Sequence, residues 1–265
     1  MRLNKATLCV LLGLGLLLAS VCHAQIVNVQ QLAGKPVQPG LSGQVALGGD
    51  WLAGNSQLLT GVGSGSLFLK TDHGLALGTV SGAYGIKGTG GTYADEPFQA
   101  KLFEHLRLRR EVAPGWSVEA FGQHEYDRWR RLKTRVVAGG GVRLDVDAVP
   151  GVHVALGLAH MAQWEELLKP KVGDLPGLVN EQRLSSYLVA AAEASGTASV
   201  LLTLYAQPRW SDWSDLRGLV DVALVVTVSK ATALRVNWAL GYDTRPPVGV
   251  RGFDGTGKVA LVAGF

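Results

Sequence analysis

The stretch Leu216–Ser229 reads LRGLVDVALVVTVS. Val220, Val222, Leu224, Val226 and Val228 take alternate positions, and Arg217, Asp221, Ala223 and Thr227 take positions between them. Successive side chains of a strand point to opposite sides, so this segment has one continuous apolar face and one polar or small face. The segment after it repeats the pattern. Leu234, Val236, Trp238, Leu240 and Tyr242 oppose Arg235, Asn237, Ala239, Gly241 and Asp243. Leu132, Thr134, Val136, Ala138, Val142 and Leu144 likewise oppose Lys133, Arg135, Gly139, Gly141, Arg143 and Asp145.

Period-two alternation recurs along the chain and helical periodicity is hard to find. About twelve strands are expected, near 41–52, 57–70, 74–87, 97–111, 116–126, 132–146, 151–163, 183–193, 197–207, 216–229, 232–243 and 257–265. All ten prolines fall before the first strand, in a connection or at a strand's first residue, as a residue that cannot donate to a ladder should. Short turns at 71–73, 112–115, 147–150, 194–196 and 230–231 alternate with connections that are mostly longer, such as 164–182 and 244–256. Short turns on one side and long loops on the other are the habit of outer-membrane barrels, and an even strand count puts both termini on the periplasmic side.

The first 24 residues fit a secretory signal: Arg2 and Lys5, then the apolar run Leu8–Leu18, then small residues up to Ala24. Cleavage there leaves 25–40 as a short periplasmic segment and 41–265 as the barrel. The two cysteines, Cys9 and Cys22, would leave with the signal. Of 25 basic and 21 acidic residues, Arg2 and Lys5 would leave too, so the exported chain is close to neutral and carries no nucleic-acid signature. A hydrophobic content of 47% against 17% charged residues excludes a disordered chain.

A soluble barrel turns its apolar face inward and a membrane barrel turns it outward. Three features favour the membrane. Trp51, Trp129, Trp164 and Trp210 lie near the long-loop ends, and Trp116 and Phe265 near the short-turn ends, as interfacial girdles require. The many Gly and Ala residues suit strands that curve and close. Phe265 ends an apolar-faced last strand, resembling the signal read by the outer-membrane insertion machinery.

FEHLRLRR (103–110), FGQHEYDRWRRLKTRVVAGGGVR (121–143), RLSSYL (183–188), LYAQPRWSDWSDLR (204–217) and YDTRPPVGVRGFDG (242–255) together resemble the YdiY-like group (domain of unknown function 481), called salt-induced outer-membrane proteins. The resemblance spans roughly 41–265. It implies an outer-membrane barrel and supplies no catalytic residue, substrate or cofactor.

No nucleophile elbow, zincin helix, P-loop or complete dinucleotide fingerprint is present. No metal or cofactor is expected. Folding the strands about their turns puts odd-numbered polar residues on one face and predicts a lumenal charge ladder of His105, Arg107, Arg109, Glu119, Gln123, Glu125, Lys133, Arg135 and Arg143. In it Arg109 approaches Glu119, His105 approaches Gln123, Glu125 approaches Lys133 and Gln123 approaches Arg135. Such a ladder either selects ions or fills a small barrel with salt bridges. Arg209, Asp215, Arg217, Asp243, Arg245 and Asp254 are placed to fix the outer loops. A lipid-modifying hydrolase needs a nucleophile beside a histidine and an acid, and His124, His153 and His160 have no such partners along the chain. The expectation is therefore a non-enzymatic barrel of the bacterial outer membrane, in contact with its lipid and lipopolysaccharide. Its role would be structural or envelope-associated, with passive solute passage open to it. A conducting pore, a lipid-modifying enzyme and a soluble ligand-binding barrel are the competing classes.

Overall fold

The computed structural model describes residues 39–53, 57–89, 92–93, 96–229 and 231–264. The signal segment, most of the 25–40 stretch and Phe265 lie outside them. The strands are β1 (Gly40–Leu52), β2 (Gln57–Lys70), β3 (Gly74–Thr89), β4 (Thr92–Tyr93), β5 (Gln99–Ala113), β6 (Trp116–Asp127) and β7 (Leu132–Val149). They continue with β8 (Val152–Leu167), β9 (Leu178–Ser195), β10 (Ala198–Arg209), β11 (Asp212–Thr227), β12 (Thr232–Asp243) and β13 (Phe253–Gly264). Twelve are long. The two-residue β4 only extends the outer end of β3.

Each long strand pairs antiparallel with its neighbours, and β1 pairs with β13 through Gln44↔Gly264 to Leu47↔Leu261, which closes the sheet. The closed antiparallel twelve-stranded barrel expected from the alternation is the observed fold. Paired residues can be followed once round from Gln44 through Ser66, Thr79, His105, Gln123, Val137, Gln163 and Glu181. Continued at the printed registers, the path returns to the line of β1 at position 60, and 60 − 44 = 16 residues of stagger. With strands about 4.8 Å apart and about 3.3 Å per residue, that stagger gives a tilt of about 43° and a backbone radius of about 12 Å.

The faces are inverted relative to a soluble barrel. Outward positions carry Leu47, Leu67, Val80, Leu106, Leu108, Val142, Leu156, Val220 and Leu240, all exposed. Inward positions carry Arg107, Glu119, Glu125, Arg135, Arg183 and Arg217, all buried. An apolar belt of this size around a polar interior requires lipid as its solvent. The closing seam pairs four residues of each strand, 44–47 with 261–264, and closure is what lipid demands of a spanning sheet. Outward aromatics gather toward the loop ends, where Trp51 and Tyr84 are exposed and Trp164 is half-buried, while Trp116 marks the turn end. Trp129 is exposed in the 128–131 loop. Trp210 is anchored by donating its Nε1–H to outward-facing His160 Nδ1 at 2.9 Å.

Several boundaries differ from expectation for local reasons. Pro208 lies inside β10 and not in a connection. It is tolerated because a register shift between Pro208 and Arg209 disrupts the ladder there. Strand β9 begins at Leu178 and β11 at Asp212, earlier than the alternation predicts, because polar residues continue these strands above the apolar belt.

Candidate functional site

The lumen is occupied very unevenly. One wall, β5–β11, carries long charged side chains packed against one another. Glu119 on β6 accepts from Arg107 Nη1 at 2.7 Å, Arg109 Nε at 2.8 Å and Tyr187 OH at 2.6 Å. Tyr187 stands three strands away, so this last bond cuts across the lumen. Glu125, three pleat repeats higher, is fully buried among Arg135 at 2.7 Å, Arg130 at 3.0 Å and Lys101 at 3.4 Å. Arg143 pairs with Asp145 at 2.7 Å. Further round, Arg183 bridges Glu181 and Asp215, each at 2.8 Å. Arg217 donates to Gln163 Oε1 at 2.8 Å and lies 3.4 Å from both Glu165 and Asp243. The mix of signs leaves each buried charge with partners, the condition under which burial is tolerated.

Two glycines let this wall close up. A Cβ on Gly157 would lie 2.0 Å from the Tyr187 ring, and one on Gly139 would lie 2.5 Å from Phe121. Each is the cross-strand partner of the ring it carries, so the aromatic lies flat on bare backbone. Below the charges, Ala155, Tyr187, Val189, Leu201, Tyr205, Leu219 and Ala223 form an apolar cluster inside the barrel. A smaller one, Phe68, Leu75 and Leu77, faces the lumen near the turn end of β2 and β3.

The other wall, β12–β13–β1–β2 and the upper part of β3, is lined mostly by short side chains, Ala239, Thr256, Ala260, Gln44, Ala46, Ser64, Thr79 and Ser81, with Arg235 and Lys258 as its long charged ones. Between buried Ser66 and Phe68 at its foot and buried Asp243 near the loop end, inward residues here are half-buried or exposed, and inward-facing Val62 is 42% exposed. On the crowded wall Glu125, Arg183 and Thr203 are at or below 1%. Water-accessible lumen therefore lies along β13–β1–β2.

The nine residues of the expected ladder divide as follows. His105, Arg107, Arg109, Glu119, Gln123, Glu125, Arg135 and Arg143 take inward positions. Arg109 faces Glu119 and His105 faces Gln123 in register. Arg107 Nε also approaches His105 Nε2 at 3.4 Å. Two pairings are corrected. Arg135 faces Glu125 and not Gln123, whose partner is Val137. Lys133 is outside the lumen: it is 55% exposed and pairs with Glu166 at 2.7 Å. An irregularity where Glu125 and Asp127 oppose Arg135 and Leu132 leaves Lys133 unpaired and turned out. The ladder below it runs two residues further along β7 than the expected pairing, which sets Arg135 opposite the glutamate. Lys101, Arg130, Gln163, Glu181, Arg183 and Tyr187 were not anticipated. Lys101, Gln163, Glu181, Arg183 and Tyr187 share the odd-numbered phase of the ladder, which is the sequence signal that would have included them.

The outer mouth is spanned by loops. Arg131, in the β6–β7 loop, donates to Val248 O at 2.7 Å, Lys169 O at 2.7 Å and Asp174 Oδ2 at 2.6 Å. Asp174 also accepts from the Lys171 and Val248 backbone N–H groups, each at 2.7 Å. The β12–β13 loop lies half a circumference from Arg131, so residues 244–252 form a strap across the mouth. Desolvation works against the Asp174 carboxylate, but those two N–H donors and the Arg131 guanidinium outweigh it and hold its pKa down to about 2. Arg245 pairs with Asp212 and Arg209 with Asp215 at 3.1 Å, fixing the strap's base.

Among curated proteins no relative matches. Among solved structures, the chain is similar to the NanC porin (9% identity, TM-score 0.49, covering 84% of this chain and 98% of that one). It is also similar to the COG4313 outer membrane channel from Pseudomonas putida F1 (11%, 0.48, 91% and 100%). A third likeness is to the translocator domain of the autotransporter NalP from Neisseria meningitidis (12%, 0.45, 89% and 91%). The family model described as "Protein of unknown function, DUF481" matches residues 83–265, about two thirds of the sequence, and the chain belongs to that family.

Proposed function

We propose that the protein is a barrel of the bacterial outer membrane that passes small polar solutes passively along the β13–β1–β2 wall, beneath the 244–252 strap. The observation that carries this reading is the one-sided lumen. Charged side chains fill the β5–β11 half and satisfy one another, while the opposite half carries mostly short side chains that stay half-buried or exposed, with Arg235 and Lys258 as its long cations. A barrel meant only as a scaffold has no need of a bare wall. In this reading the lumenal charges narrow and stiffen the passage and perform no chemistry. Bound lipid and lipopolysaccharide surround the apolar belt.

Conductance across planar bilayers tests it. Wild-type protein should give small discrete steps, and Arg131→Ala should raise them severalfold by releasing the strap. Bilayers silent at all voltages for both proteins would contradict passage.

A further inference from the structure

The outer face carries a second polar constellation. Glu104 on β5, His124 on β6 and Thr134 on β7 share the lipid-facing side of three adjacent strands. Glu104 Oε2 lies 3.0 Å from His124 Nδ1, and Thr134 Oγ1 lies 3.2 Å from His124 Nε2. The carboxylate fixes the tautomer: Nδ1–H donates to Glu104, which leaves Nε2 to accept from the threonine hydroxyl. Acid, imidazole and hydroxyl are thus in series, the arrangement that activates an alcohol as nucleophile. The other described outward or rim histidines lack it. His153 sits between two carboxylates, Asp145 and Asp147, each at 3.0 Å, and His160 takes the Trp210 donor.

Depth and surroundings are unusual for a mere surface pair. His124 is eight residues along β6 from Trp116 at the turn end. At a tilt of about 43° that is about 19 Å up an apolar band of about 25 Å. The site therefore lies where outer-leaflet acyl chains join their headgroups, through ester bonds. An apolar groove of about 590 Å³ starts at Glu104 and His124. Its floor is Gly65, Gly78 and Gly122, and its walls include Val45, Leu67, Val80 and Leu106. A Cβ on Gly65 or Gly78 would meet nothing within 4 Å, so the floor is bare without being required by packing. The row Val45↔Gly65↔Val80↔Glu104↔His124 is one register path across β1, β2, β3, β5 and β6. Because the strands are staggered, that path descends from His124 toward Val45 by about 13 Å, toward the bilayer centre. Thr134 also adjoins the irregularity at Lys133, which has no register partner on β6 or β8. Such bulges re-aim side chains.

We propose that Glu104, His124 and Thr134 form a lipid-facing hydrolytic site that cleaves an ester-linked acyl chain, with that chain lying in the Gly65–Gly78–Gly122 groove. Thr134 Oγ1 attacks the ester carbonyl carbon and its proton passes to His124 Nε2. The carbonyl oxygen takes up the electron pair and returns it as the C–O bond to the lipid alcohol breaks. The leaving alkoxide takes the proton from His124. Water then attacks the acyl-threonine, giving its proton to His124, and the released Thr134 oxygen recovers it. The products are a free fatty acid and a lipid short of one chain. Thr134 and His124 are the catalytic residues, and Glu104 is a positioning residue.

The test uses the folded full chain in mixed micelles, with fatty-acid release read by mass spectrometry. One arm contains phosphatidylethanolamine and the other contains lipid A. Release in one arm identifies the lipid source. Thr134→Val and His124→Ala should each reduce release by about 100-fold or more, while Thr134→Ser should retain it. Glu104→Gln should lower kcat with KM unchanged, and Glu104→Asp should recover part of the loss. Heat-modifiable migration on gels confirms that each variant is a closed barrel. No release in either arm by the closed wild-type barrel overturns the proposal, as does release that Thr134→Val leaves unchanged.

Discussion

The two walls of the lumen are made from the same strand grammar and end in opposite states. On β5–β11 the inward residues are Arg, Glu, Asp and Tyr, and they are buried by one another. On β12–β13–β1–β2 they are mostly Ser, Thr, Ala and Gly with a few charges, and apart from Ser66, Phe68 and Asp243 most stay half-buried or exposed. The difference shows that an inward polar face is not by itself a channel. Long side chains of mixed sign consume the space they line, and only the short ones leave it free.

The sharpest way to break this contrast is to remove a hub of the crowded wall. Glu119→Ala leaves Arg107, Arg109 and the Tyr187 hydroxyl without their shared acceptor, and breaking a buried pair costs about 3–5 kcal/mol. Unfolding in denaturant from detergent micelles should show a matching fall in midpoint. A smaller loss, about 1–3 kcal/mol, is expected for Gly157→Val, because its side chain must displace the Tyr187 ring. The same assay reads it. At the foot of the short-side-chain wall, where Ser66 is buried, Ser66→Ala removes a neutral hydroxyl contact of 2.8 Å to Thr79, and about 1 kcal/mol or less should be lost. A fall at Ser66 as large as that at Glu119 would erase the distinction between the walls.

The strap has a pH signature of its own. Asp174 titrates near pH 2 when folded, below the roughly 3.9 of a free aspartate. Its contribution is therefore present in full above about pH 4 and lost as pH falls toward about 2. Conductance should rise across that window as the strap loosens. Asp174→Asn should flatten the rise.

Much of this architecture was legible in the chain. Alternation marked twelve strands, and β12 was delimited at Thr232–Asp243 to the residue. Parity alone placed Arg107, Glu119 and Glu125 on one face. What parity does not reveal is stagger and irregularity. A single extra residue at Lys133 moved that side chain outside, and a two-residue difference in register set Arg135 against Glu125. Contacts that cut across the lumen, such as Tyr187 to Glu119, depend on barrel curvature and have no local signal. The same holds for Glu104, His124 and Thr134. They are 20 and 10 residues apart along the chain and meet only once two registers, β5–β6 and β6–β7, are set. His124 looked solitary for that reason.

The division of the lumen can be read directly by single-cysteine chemistry, in a background with Cys9 and Cys22 replaced by serine. Ser64→Cys and Ser81→Cys on the bare wall, and Thr203→Cys on the crowded wall, are exposed to a membrane-impermeant cationic thiol reagent while bilayer current is recorded. Rapid modification and a drop in current are expected at positions 64 and 81, with position 203 unreactive. Modification at 203 with 64 and 81 protected would contradict this division.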